Sequence, residues 1–136
     1  MADTRPAPRL THRGALKVLD AAMAEAARMG VAQCICVVDP AGHPMAFVRM
    51  DGANRQSFDS ALRKAQSAAA KGVPSGALDS PNGLKIAIAT NGKRTDMNGA
   101  LPLIVDGHVV GAIGIGTGTD EEDVAVAGAG VKALAS

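Results

Sequence analysis

The chain is 136 residues long, 47% hydrophobic, and carries a net charge of +1 with no basic block. That length suits one folding unit with a core of its own. No apolar run approaches the roughly 18 residues that span a bilayer, and without a Lys/Arg stripe or aromatic platforms nucleic-acid binding has no footing.

Trp and Tyr are absent, and Phe47 and Phe58 are the only phenylalanines, so Ala, Val, Ile, Leu and Gly must fill the core. Small cores of this kind often gain stability by self-association. Residues 1–10, MADTRPAPRL, read as a flexible N-terminal arm, and residues 11–136 as a single domain. The arm has no apolar segment of the signal-peptide type, so the expected location is the cytoplasm.

Thr11 can cap a helix from His12 to about Met29. Leu16, Leu19, Ala22, Met23, Ala26 and Ala27 recur on one face of it, and Gly30 stops it. A strand follows over Gln33 to Asp39, then a turn at Pro40–His43 and a second strand from Pro44 to Met50. Cys34 and Cys36 share a face of the first strand. Two thiols are half a metal site, so they read as small buried apolar residues. The Ala-rich stretch from Arg55 to Lys71 reads as a helix closed by Gly72, and one helical turn is expected at Ala77 to Asp79.

Leu84 to Thr90 alternates weakly and is expected as a strand, and Asn91 to Gly99 as a polar loop. The strongest local signal is LPLIVDGHVVGAIGI, Leu101 to Ile115. Asp106-Gly107 between two apolar arms signals a two-residue hairpin turn with φ above zero at both positions. Gly111 and Gly114 in the second arm mark a bulge or a close approach by another backbone. Thr119 and Glu122 form a capping box ahead of a last helix, Asp120 to about Leu134, whose acidic first turn suits the helix dipole. The order α, β, β, α, β, β, β, α is an α+β fold: an antiparallel sheet of about five strands packed with helices.

Three polar clusters could carry chemistry. Arg49, Asp51, Asn54 and Arg55 stand at the exit of the second strand, where Arg could grip a carboxylate. Asn91, Lys93, Arg94, Asp96 and Asn98 crowd one loop. Gly116, Thr117 and Gly118 precede a helix N-terminus, where backbone amides can meet an anion. No Walker or Rossmann pattern is present. Lys64, alone on an Ala-rich helix face, is a further candidate, because lysine shifts its pKa when buried. His12, His43 and His108 lack metal-ligand spacing, and no metal site is expected.

Val38-Asp39-Pro40-x-Gly42, then Ala46-Phe47-x-Arg49-Met50-Asp51-Gly52-Ala53, resembles the signature of the GlcG/HbpS-like family, which takes in the C-terminal domain of PduO. Ser57-x-Asp59-x-Ala61-x-x-Lys64-Ala65, Leu101-Pro102-Leu103, Asp106-Gly107-x-x-Val110-Gly111-Ala112-Ile113-Gly114 and, in the last helix, Asp123, Val126, Ala127, Ala129 and Gly130 continue it. The resemblance covers nearly all of the chain after Leu10. It implies a profilin-like sandwich, assembly into a homo-oligomer, and ligand pockets at subunit interfaces. It also implies haem or a related tetrapyrrole as a ligand; other members sit beside corrinoid or glycolate functions. Where the family has a glycine-rich apolar approach to its Gly-Leu-Pro segment, this chain has Arg94-Thr95-Asp96-Met97-Asn98. Apolar walls suit a porphyrin, and charged groups a small polar ligand.

Two readings follow. The first is a haem- or tetrapyrrole-binding protein, with His12 as the axial candidate and Gly116, Thr117 and Gly118 contributing amides. The second is an enzyme of a catabolic pathway acting on a small organic acid, of the isomerase/tautomerase or lyase/hydratase type. In that reading Arg49 or Arg94 holds the carboxylate and Asp51, Asp96 or Lys64 moves the proton. A subunit with no ligand of its own is a third.

Overall fold

A computed structural model describes residues 2–76 and 81–135 of the chain. Helix α1 (His12–Met29) leads into strands β1 (Cys34–Val38) and β2 (Pro44–Arg49). Helices α2 (Ser57–Lys71) and α3 (Asn82–Ala89) follow, then β3 (Ala100–Val105), β4 (His108–Gly116) and α4 (Asp120–Ala135). The sheet has four strands in the order β2-β1-β4-β3, and every neighbouring pair is antiparallel.

Several local expectations hold for the reasons given. The Thr11 hydroxyl accepts from the Gly14 N–H at 3.0 Å, and Gly30 closes α1 in the left-handed conformation at φ 73°. Asp106 and Gly107 take φ 50° and 77°, as a primed hairpin turn requires. In the capping box, Thr119 N–H donates to Glu122 Oε1 at 2.9 Å and Glu122 N–H to the Thr119 hydroxyl at 3.2 Å.

Two expectations need correction. The sheet has four strands rather than about five, and the missing one is Leu84 to Thr90, which is the helix α3 with Thr90 as its C-cap. A short apolar-rich stretch such as Leu84 to Ala89 can serve either period. A helix satisfies its backbone within itself, whereas a strand needs a partner. Here Thr90 ties the end down, its hydroxyl donating to the Ile86 carbonyl at 2.7 Å, and Asn91 and Gly92 turn the chain away at φ 56° and 77°. The second helix starts at Ser57, two residues later than Arg55. The turn expected at Ala77 to Asp79 lies outside the described residues. Residues 2–10 form no helix or strand, and Leu10 among them packs on the core.

Every residue of β1 is buried, because both faces of the sheet are covered. Ile35 and Val37 face α1 and α4, together with Leu103, Val110, Ile113 and Ile115. Cys34, Cys36 and Val38 face α2, against Ala61, Ala65 and Ala68. The second layer is built from alanines, so α2 lies close on the sheet. At Gly114 a Cβ would overlap the Ala61 carbonyl oxygen and stand 2.7 Å from the Ala65 nitrogen. Both are helix backbone and cannot swing aside. Gly114→Ala is therefore expected to lower unfolding free energy by about 1–3 kcal/mol, measured by denaturant titration against wild type.

Candidate functional site

Three polar features emerge on this frame. The first is buried where β4 ends. Lys64 on α2 and Asp123 on α4 are 6% and 1% exposed, and their Nζ and Oδ2 atoms are 3.0 Å apart. Lys64 Nζ also donates to the Ile115 carbonyl at 2.8 Å. The other carboxylate oxygen of Asp123 accepts from Gln33 Nε2 at 3.0 Å and from the Gly118 N–H at 3.1 Å. Gln33 Oε1 is buried with no hydrogen-bond partner among the described residues. Burial pushes the Asp123 carboxyl above the ordinary aspartate range, and its bonds to Lys64 and Gly118 pull it part of the way back.

The second feature lies at the same end of the sheet. The register places Arg49 opposite Cys34, and Cys34 opposite Gly116, in one row across three strands. Thr117 follows at φ 93°, a conformation that costs a β-branched residue energy. Its hydroxyl accepts from the Asn54 N–H at 3.2 Å. Two of the sequence clusters, Arg49 with Asn54 and Gly116 with Thr117, thus meet. Burial raises the Cys34 thiol, opposed by the Arg49 charge and Thr117, and pushes Cys36 up to about 12. Both thiols are inert at neutral pH.

The third feature is an open groove of ≈470 Å³ between the end of α2 and the helix α3. Its walls are Lys71, Asn82, Lys85, Ile86, Ala89 and Arg94. Among the described residues the lining thus has an apolar floor and three cationic side chains with no carboxylate. Among the described residues none of the three cations has a salt-bridge partner within 4.0 Å. Arg94 also lines a neighbouring groove of ≈410 Å³ with Asp59 and Arg63. The loop that carries Arg94 is fixed to α2 by the Thr95 N–H, which donates to the Ser67 hydroxyl at 2.9 Å.

The expected site residues therefore divide. Arg94 lines the groove, Lys64 is sealed in the buried pair, and Arg49 and Asp51 stand exposed at the exit of β2. Asp96 is half-buried against the first turn of α3, where a Cβ on Gly83 would overlap its carboxylate. His12 is exposed at the start of α1. Its neighbour Leu10 reaches Gly111, at the far end of the sheet from Gly116. His12 and the Gly116–Gly118 amides thus belong to opposite ends of the molecule. Sequence reasoning missed Lys71, Lys85, Gln33 and the role of Asp123. A helical reading of Leu84 to Ala89 is the signal that would have brought Lys85 to Arg94.

A family model described as "Haem degrading protein HbpS-like" matches residues 10–132. An uncharacterised 15.0 kDa protein from the dhaT–dhaS intergenic region of Citrobacter freundii is 35% identical over 124 residues, 84% of each chain. The crystal structure of ORFY from Klebsiella pneumoniae aligns with a TM-score of 0.92 at 26% identity, over 99% of this chain and 97% of that one. PduOC, solved as its haem complex, aligns with a TM-score of 0.84 at 24% identity, over 93% and 95% of the two chains, a likeness of fold.

The raised Asp123 carboxyl fixes a pH dependence. A carboxyl raised on folding holds its proton more tightly folded than unfolded, so its contribution to stability is full below the unfolded value of about 4 and lost as pH rises through the folded one. Asp123→Asn cannot ionise. Wild-type stability is expected to fall relative to that variant as pH rises through this window, read by denaturant titration at stepped pH. A wild type that gains on the variant with rising pH would show Lys64 outweighing burial.

Proposed function

The chain belongs to the HbpS-like family, and on that premise we propose that it binds haem or a related tetrapyrrole in the groove between α2 and α3. The observation that carries this reading is the groove's lining. Ile86 and Ala89 offer apolar contact to a flat ring, while Lys71, Lys85 and Arg94 stand ready for its carboxylates. The family description and the haem-bound PduOC neighbour support the same ligand class. The lining contains no His, Cys, Met or Tyr, the side chains that usually hold haem iron. The groove fits the ring and its acid groups, and it supplies no usual axial ligand.

The same reading includes self-association. Leu84 and Ile88 lie one turn apart on α3 and are 64% and 70% exposed, an apolar strip that a second copy would cover. The enzyme reading finds less support, because of its five residues Arg94 alone lines the groove.

Haemin titration into purified protein is expected to give a saturable Soret shift, and Arg94→Glu to weaken it; absence of any shift in wild type would overturn the reading. Separately, Leu84→Glu with Ile88→Glu is expected to reduce the mass from light scattering to that of one 13.6 kDa chain. An unchanged assembly would place the interface elsewhere.

A further inference from the structure

The groove's chemistry favours one part of such a ligand over the rest. Among the described residues its lining presents three cations and no carboxylate. The ion pairs among the described residues lie away from it: Glu25 with Arg28, Asp39 beside His43, Lys64 with Asp123. Lys71, Lys85 and Arg94 come from three different segments, the end of α2, the middle of α3 and the following loop. Their convergence on one concavity places three positive charges beside the apolar Ile86 and Ala89. A fork such as Arg94 pairs with a carboxylate through parallel N–H bonds, and the two ammonium groups add point charges.

We infer that this groove is a metal-independent site for amphipathic dicarboxylates, which Lys71, Lys85 and Arg94 recognise by their acid groups. The inference builds on the tetrapyrrole reading by assigning recognition to the carboxylates, with no part for a metal at the ring centre. A metal-free porphyrin diacid binds as well as its iron form. Removing the acid groups costs more than removing the iron. Binding weakens as salt rises, because the cations sit on an open surface.

The test compares haemin, metal-free protoporphyrin IX, protoporphyrin dimethyl ester and hexadecanedioate, an acyclic apolar dicarboxylate. Binding of all four is measured by ultrafiltration on the full chain. The acid porphyrin is expected within about threefold of haemin, and the dimethyl ester about tenfold weaker. Lys71→Gln, Lys85→Gln and Arg94→Gln are each expected to weaken the acids by about two- to fivefold, with the far-ultraviolet dichroism of wild type. They leave the ester unchanged.

Ester binding equal to that of the diacid overturns the inference. So does haemin binding that is much tighter than the metal-free form and indifferent to the three substitutions; in that case the haem reading stands and the carboxylate site falls. Hexadecanedioate binding that the substitutions abolish, with no porphyrin bound, keeps the site and removes the tetrapyrrole. Failure of all four ligands overturns both.

Discussion

Lys64 and Asp123 come from helices on opposite faces of the sheet and meet where its central strand ends. Each charge is costly to bury alone, and removing one partner of such a pair costs about 3–5 kcal/mol. That is a large part of the roughly 5–15 kcal/mol by which a domain is stable. The rest of the local structure adapts to this contact. Gly99 and Gly118 leave room around it: a Cβ at Gly99 would come within 3.0 Å of Lys64 Nζ and of the Asp123 Cβ. Gln33, just ahead of β1, contributes its amide to the same carboxylate, so α2, α4 and the sheet are tied at one point. Two of the three N–H donors of Lys64 are committed to the Ile115 carbonyl and the Asp123 carboxylate, so the lysine singled out for proton transfer is held inside this pair.

The hairpin, the caps of α1 and α4 and the burial of Cys34 and Cys36 were legible because each rests on chemistry local to a few residues. Asp106-Gly107 needs only its own backbone freedom, and Thr119 with Glu122 only each other. The alternation of Leu84, Ile86 and Ile88 misled because those residues face different surroundings. Ile86 turns toward the groove while Leu84 and Ile88 look outward, so the apolar pattern reflects two separate surfaces of one short helix. A period can only report the burial it was shaped by.

The candidate site followed the same division. Arg94 stood out as a charged residue in a crowded loop, but Lys71 and Lys85 looked like ordinary helix-end and strand charges. Only the placement of α3 beside the end of α2 makes the three a set. Long-range convergence of this kind leaves no spacing in the chain. The Asp123 role was hidden for another reason. It belongs to a run of four acidic residues at a helix start, and nothing in that run says which one turns inward.

Helix α3 walls the groove, yet two of its three large apolar side chains, Leu84 and Ile88, face solvent, and Gly83 is its one buried residue. Segments with few buried contacts open at a free energy well below that of global unfolding. The groove therefore has one wall on α2, which packs on the sheet, and one on a helix with little buried surface to hold it. A molecule bridging Lys71 and Lys85 would suppress that opening, so its affinity is discounted by the order it imposes. Amide hydrogen exchange along residues 82–89 would then report occupancy of the groove directly, even for a ligand with no colour.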